Sequence, residues 1–185
     1  MNKKFGLYGG FFNPFHEGHL HVIQSSMQYL SLQKLFVLPT YQNPLKENIH
    51  QDSIQTQIKN LRNNLSSYPV KVSEFEYRHS IQSTHELLKK IQTKCSLDRF
   101  YLIMGLDQLG QLHLWKNYQW IIENISICVI YRPRYDKFIE NSEIFNNHPH
   151  LFMQDLNTFI NSSTPLIHLL KNDGVDMSSS EIRNS

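Results

Sequence analysis

Short, continuous apolar runs constrain the fold of this chain more than any other feature. LFVLP at 35–39, FYLIMG at 100–105 and ISICVIY at 125–131 are five to seven residues long and almost free of polar residues. Such runs are typical of strands buried on both faces of a sheet. The segments between them, such as 17–30, carry apolar residues at helical spacing. This alternation predicts an α/β fold, a parallel sheet with helices on both faces.

The same patterns predict where the elements begin and end. We expect strands at 3–8, 35–39, 70–76, 100–105, 125–131 and 165–170. We expect helices at 17–30, 54–65, from Ser83 or Thr84 onward, through a region that contains Trp115 and Ile122, and near Glu143. Residues 134–164 are otherwise expected to form exposed loops and a polar connection.

Composition excludes several classes of protein. A length of 185 residues fits one domain, which we expect to span 1–185. Eighteen Lys and Arg against sixteen Asp and Glu give a net charge of +2, too little for a dedicated nucleic-acid binder. No apolar run approaches the ~20 residues of a membrane span. Cys95 and Cys128 lack CxxC spacing, so we expect a cytoplasmic protein without a disulfide framework.

The stretch GGFFNPFHEGHLH at 9–21 follows the first predicted strand and contains three histidines. A zinc site is one interpretation, but His16 and His19 are three residues apart, whereas helical zinc ligands of the HExxH type are four apart. No carboxylate or cysteine at matching spacing offers a third ligand. We therefore predict that no protein side chain in this stretch binds a metal.

Two interpretations of the stretch remain, a plain turn and a phosphate cradle. Glycines let a ligand approach the backbone, and the following helix N-terminus favours anions. His16 and His19 share one helix face and can donate hydrogen bonds to phosphate oxygens, whereas His21 points elsewhere. This arrangement is typical of phosphoryl or nucleotidyl transfer, in which the protein positions reactants and stabilises charge.

GGFFNPFHEGH resembles the GGxFNPxHxGH signature of the nucleotidyltransferase superfamily, in the form found in bacterial nicotinate-nucleotide adenylyltransferases. Further segments resemble that family in order along the chain: NPLK at 43–46, EFEYRHSIQSTHELL at 74–88, GLDQLGQLHLW at 105–115, YRPRY at 131–135 and MSSSEIR at 177–183. The resemblance implies a Rossmann-like, doubly wound nucleotidyltransferase fold.

The resemblance also implies an activity, the transfer of AMP from ATP to nicotinate mononucleotide with release of pyrophosphate in NAD biosynthesis. Mg²⁺ would accompany ATP, with no protein side chain as its ligand. The implied catalytic residues are His16, His19 and Arg183. The implied ATP-binding residues are Gly9, Gly10, Phe11, Gly105, Asp107, Ser179 and Ser180. The implied residues for nicotinate mononucleotide are Asn13, Lys46, Thr84, Trp115 and Lys116.

Several alternatives stay open at this point. The acceptor could be nicotinamide mononucleotide or pantetheine phosphate, and a relative that binds nucleotide without catalysis is also compatible with the sequence. Asp107 could cap the helix that follows it, and Trp115 could be a core residue. The chain departs from the family at Phe11, Ser83 and Arg134, and we expect the family's C-terminal helix segment to be missing.

Overall fold

The computed structural model describes residues 4–40, 53–131, 139 and 142–171. The strands in these ranges are β1 (Phe5–Gly10), β2 (Lys34–Pro39), β3 (Val70–Val72), β4 (Phe100–Gly105), β5 (Ser126–Ile130) and β6 (Ile167–Leu170). They form one parallel sheet in the order β3-β2-β1-β4-β5-β6. The predicted parallel sheet is confirmed. Its strand order reverses between β1 and β4, where ligands bind in doubly wound sheets.

Helices in the described ranges connect these strands. They are α1 (Glu17–Tyr29), α2 (Ile54–Asn64), α3 (Phe75–Arg78), α4 (Thr84–Gln92), α5 (Leu106–Leu109), α6 (Tyr118–Asn124), α7 (Glu143–Asn147) and α8 (Leu156–Asn161). Single 3₁₀ turns lie at Leu97–Arg99, Leu112–Leu114 and Pro149–Leu151.

The sheet is buried on both faces, as the apolar runs predict. Successive residues of a strand point to opposite faces, so Leu7 and Tyr8 belong to two different core clusters. One cluster packs the sheet against α1, α2 and α8, through residues such as Ile23 and Phe159. The other packs it against α4, α5, α6 and α7, for example through Leu88. Helices therefore cover both faces.

Gly6 is required by packing in the centre of this sheet. A Cβ atom there would lie 2.6 Å from Leu35 Cδ1, 2.7 Å from Ile103 Cδ1 and 2.8 Å from Leu32 Cδ1. These distances are far below van der Waals contact, so a side chain at residue 6 would displace all three methyl groups.

The predicted strand at 70–76 is wrong beyond Val72. The Ser73 hydroxyl oxygen accepts a hydrogen bond from the Phe75 N–H at 3.2 Å, and the short helix α3 begins at Phe75. A local hydrogen bond of this kind, from backbone N–H to side chain, competes with strand pairing. As a result, Glu76 lies on a helical turn at the end of the sheet.

Other boundaries also differ from the predictions. β1 includes Gly9 and Gly10, which were expected to form the turn after it. The expected helical region through Trp115 and Ile122 is divided into α5, a 3₁₀ turn and α6. The extended backbone of Trp115 ends the 3₁₀ turn, and Asn117, with φ 53° in the left-handed region, precedes α6. Within the polar connection, α8 was not predicted.

Candidate functional site

The N-terminus of α1 is capped by two histidine side chains. His16 is the N-cap residue, and its Nδ1 accepts a hydrogen bond from the Gly18 N–H at 3.0 Å. In return, His19 Nδ1 accepts the His16 N–H at 3.3 Å. This is a capping box in which imidazoles replace the usual hydroxyl and carboxylate. Both side chains are buried.

These caps define which ring nitrogen carries the proton. Because Nδ1 of His16 and Nδ1 of His19 both accept a backbone N–H, each neutral ring carries its hydrogen on Nε2. The ring centroids are 3.8 Å apart, with the planes inclined by 31°. Two N–H donors thus lie side by side at the N-terminus of a 13-residue helix, where the helix dipole is positive.

The ring of His19 is also held by aromatic packing. Phe15 stacks on it at a centroid distance of 5.6 Å, and Phe12 meets it edge-on at 5.0 Å. Phe12 is buried, has φ 29° in the left-handed region and packs edge-on against Tyr8. A strained backbone of this kind persists only where surrounding contacts determine it. The loop after β1 therefore places His19 rigidly.

Gly9 and Gly10 have different roles at the end of β1. A Cβ atom on Gly10 would lie 3.0–3.4 Å from the Phe12 ring, so Gly10 makes room for that ring. A Cβ atom on Gly9 would have only the Leu38 carbonyl oxygen within reach, at 4.0 Å. No contact inside the described protein requires glycine at residue 9. Its missing side chain leaves open space above the strand end, which a ligand can occupy.

That space belongs to a cavity of about 510 Å³ over the carboxyl ends of β2, β1 and β4. Ligand sites of 300–1,000 Å³ are common at this place in doubly wound sheets. The cavity brings together these sequence-predicted residues: Gly9, Gly10, Phe11, Thr84, Trp115 and Lys116. Residues over a hundred positions apart in sequence thus share one concave surface.

Trp115 and Lys116 form one wall of the cavity. The Trp115 side chain is half-buried and packs against the second core cluster while it lines the cavity, so its core and site roles are compatible. Lys116 Nζ contacts Glu86 Oε1 at 2.7 Å. The other carboxylate oxygen of Glu86 accepts the Gln82 N–H at 3.1 Å. Glu86 therefore ties the Trp115 wall to the loop before Thr84.

Glu76 lines the same cavity and was missed by sequence reasoning. Only 8% of its surface is exposed, and burial raises its pKa from an ordinary 4.5 to about 8. The signal was hidden because residues 70–76 read as a strand, which leaves the direction of this side chain undetermined. The Glu76 carboxyl is therefore mainly neutral at pH 7.

The remaining predicted site residues lie in three places. Gly105 ends β4 and is the N-cap of α5, and Asp107 lies in the first turn of that helix, not at its cap. Asn13 lies in the loop between β1 and α1 and is not among the residues that line the cavity. Four predicted residues lie outside the described ranges: Lys46, Ser179, Ser180 and Arg183.

Over 4–40, 53–131, 139 and 142–171, no three or more His, Cys, Asp or Glu side chains are grouped so that they could hold a metal ion. In the same part of the chain, no helix has the length and apolar character needed to cross a membrane.

Comparisons with known proteins concern the family and the fold. The model of the cytidylyltransferase-like family matches residues 7–185. A protein of Agrobacterium fabrum named probable nicotinate-nucleotide adenylyltransferase is 37% identical over 128 residues, 69% of this chain and 68% of that protein. A protein of the same name from Ruegeria sp. is 35% identical over 128 residues, which are 69% of this chain and 67% of that protein.

A Helicobacter pylori protein, also named probable nicotinate-nucleotide adenylyltransferase, is 34% identical over 137 residues, 73% of this chain and 78% of that protein. Among solved structures, the Plasmodium falciparum nicotinic acid mononucleotide adenylyltransferase complexed with NaAD superposes with a TM-score of 0.70. The match covers 98% of this chain and 83% of that chain at 16% identity, so it concerns the fold.

Proposed function

The chain belongs to the cytidylyltransferase-like family, and on this premise we propose that it is a nicotinate-nucleotide adenylyltransferase, which transfers AMP from ATP to nicotinate mononucleotide. The relatives named above carry that activity in their names. The cavity over the carboxyl ends of β2, β1 and β4 supports the proposal, because ligands of doubly wound sheets commonly bind where the strand order reverses.

The observation that carries this proposal is the paired capping of α1 by His16 and His19. Both imidazoles present an Nε2–H donor, and both are fixed before any substrate binds. We propose that these donors face the place where negative charge develops. Donors that are oriented in advance need no reorganisation during the reaction, which is the main source of electrostatic stabilisation. The helix N-terminus adds partial positive charge to the same place.

In the proposed reaction, a phosphate oxygen of nicotinate mononucleotide forms a bond to the α-phosphorus of ATP. The bond from that phosphorus to the oxygen bridging it to the β-phosphorus breaks, and pyrophosphate leaves with the electron pair. His16 and His19 donate hydrogen bonds to phosphate oxygens and stabilise the charge that spreads over them. A divalent cation, in our proposal Mg²⁺, enters with ATP as part of the substrate.

The cavity is proposed to hold the pyridine end of the acceptor. The flat indole of Trp115 can stack on a pyridine ring, and Thr84 at the start of α4 and Lys116 offer polar contacts beside it. Gly9 leaves room for the nucleotide to pass over β1. The proposed roles of Lys46, Ser179, Ser180 and Arg183 in phosphate binding, and of Gly105, Asp107 and Asn13 in nucleotide binding, remain predictions.

The function is tested by a panel of acceptors with Mg²⁺ and ATP. Pyrophosphate release is measured with nicotinate mononucleotide, nicotinamide mononucleotide and pantetheine phosphate. We expect the highest kcat/KM with nicotinate mononucleotide. Higher turnover with either other acceptor would contradict the proposed acceptor. ATP binding without turnover of any acceptor would identify a relative that does not catalyse.

The role of the paired histidines is tested by His16→Ser, with His21→Ala as the control. Serine is a good N-cap residue, so the variant keeps the start of α1 while it removes the Nε2–H donor. We expect kcat to fall by about 10²–10³-fold, as for other lost donors of this kind, with little change in Tm. His21 lies outside the capping pair, so His21→Ala should retain nearly full activity. An unchanged kcat in His16→Ser would contradict the proposed role.

A further inference from the structure

Glu76 is a buried acidic residue on the surface of the cavity. It lies on α3, only 8% of its surface is exposed, and Leu38, Leu87 and Leu102 line the same cavity. A carboxyl group at such a position is either paired with a cation or kept neutral. Its role depends on which of these applies.

No cation or hydrogen-bond donor in the described part of the chain contacts the Glu76 carboxyl. Three cations on its own helix and on neighbouring elements pair with other carboxylates: Arg78 and Arg62 with Glu74, and Lys116 with Glu86. Burial alone then raises the pKa of Glu76 to about 8. The group is mainly neutral at pH 7 and becomes ionised within the range in which many enzymes can be assayed.

We propose that Glu76 distinguishes the carboxylate of nicotinate mononucleotide from the amide of nicotinamide mononucleotide. This inference rests on the proposed function and assigns a substrate-selecting residue within that site. It follows from the shared cavity: Glu76, Thr84 and Trp115 line one concave surface, into which the pyridine ring is proposed to bind.

The chemistry of the two acceptors differs in one respect that Glu76 can sense. A pyridine carboxylate only accepts hydrogen bonds, so the O–H of neutral Glu76 can donate to it. A pyridine amide also donates N–H, which ionised Glu76 can accept. Ionised Glu76 would instead repel the carboxylate. Preference for the acid should therefore decline as Glu76 loses its proton.

The test is the ratio of kcat/KM for nicotinate mononucleotide to kcat/KM for nicotinamide mononucleotide, measured from pH 6.5 to 9.5. Both acceptors carry the same phosphate, so its ionisation cancels in the ratio. In the wild-type protein the neutral fraction of Glu76 falls roughly thirtyfold over this range, and we expect a decline of the same order in the ratio. The midpoint should lie near pH 8.

Glu76→Gln and Glu74→Gln complete the experiment. Glutamine donates and accepts at every pH, so Glu76→Gln should give a ratio that stays constant from pH 6.5 to 9.5. Glu74 is paired with two arginines and does not line this cavity. Glu74→Gln should therefore keep the wild-type decline.

The outcomes separate the inference from the function on which it rests. If the wild-type protein turns over neither mononucleotide, the proposed function fails. If it turns over nicotinate mononucleotide but the ratio does not change with pH, or Glu76→Gln shows the same decline as the wild type, the role of Glu76 fails and the function stands. Whether the ratio changes with pH is decided by the wild-type protein alone, without any variant.

Discussion

Replacing Glu76 by glutamine is expected to stabilise the protein, although it removes a buried carboxyl from the proposed substrate site. In the unfolded chain this carboxyl has its ordinary pKa of 4.5 and is ionised at pH 7, whereas in the fold its pKa is about 8. Folding at pH 7 must therefore take up a proton, which costs free energy. Glutamine has a similar shape and needs no proton.

The size of this effect depends on pH in a defined way. A carboxyl whose pKa is raised in the folded state makes its full contribution to the stability of that state only below the unfolded pKa of 4.5. That contribution is lost as the pH rises to about 8 and changes little above it. The loss amounts to about 1 kcal/mol at pH 5 and on the order of 3 kcal/mol at pH 7. Glu76→Gln should recover these amounts in its free energy of unfolding.

Urea unfolding of the wild type and the variant at pH 5, 6, 7 and 8 measures the difference directly. Glu74→Gln is the matched control, since hydrogen bonds from Arg78 and then Arg62 hold the pKa of Glu74 below its ordinary value. The stability that Glu74 contributes is present above pH 4.5 and is lost as the pH falls, so this variant should be destabilised at neutral pH. If Glu76→Gln gave equal stabilisation at pH 5 and 7, Glu76 would be ionised in the fold and would have an unidentified partner.

Two further predictions concern the cavity and the sheet. Gly9→Ala should fold with an unchanged Tm, because its Cβ has no atom beyond its chain neighbours closer than 4.0 Å. It should raise the KM of the substrate that passes over β1. Gly6→Ala is the control at a packed glycine and should lose about 1–3 kcal/mol of stability in thermal or urea unfolding. An unchanged KM in Gly9→Ala would place the ligand elsewhere. Trp115→Leu keeps an apolar side chain against the core but loses the flat ring. In steady-state kinetics, KM for nicotinate mononucleotide should therefore rise about tenfold, while KM for ATP stays the same. Equal effects on the two KM values would contradict stacking on the pyridine.

The imidazole capping box shows how a structural and a chemical role can share the same atoms. Nδ1 of His16 and Nδ1 of His19 satisfy backbone N–H groups that every helix start leaves without partners. The proton is thereby fixed on Nε2 of both rings. Substitutions that remove the ring without keeping a cap therefore combine helix destabilisation with loss of a donor, which is why serine is the informative replacement at residue 16.

Patterns within single segments predicted much of the fold and part of the site. The apolar runs identified β2, β4 and β5, because a strand buried on both faces must be apolar at successive positions. The spacing of His16 and His19 excluded a zinc site of the HExxH type and favoured phosphate, and the described structure places the two rings together at a helix start. Neither conclusion needed contacts with distant parts of the chain.

Boundaries were predicted less well where one side chain decides between two local structures. The Ser73 hydroxyl binds the Phe75 N–H where β3 gives way to α3. Extended Trp115 and left-handed Asn117 separate the 3₁₀ turn from α6. Each boundary depends on one hydrogen bond or on the backbone of one or two residues. Periodicity over a window of ten or more residues does not register such a choice.

The sequence by itself determined the α/β class, the glycine-rich stretch after the first strand and the paired histidines, because strand and helix periods and local spacing are properties of neighbouring residues. Only the tertiary structure decided that Gly9, Thr84 and Trp115 line one cavity and that Glu76 is buried beside them without a partner in the described part of the chain. The physical reason is that burial, and the shift in pKa that follows from it, is set by the elements that pack around a side chain. Those elements come from distant parts of the chain.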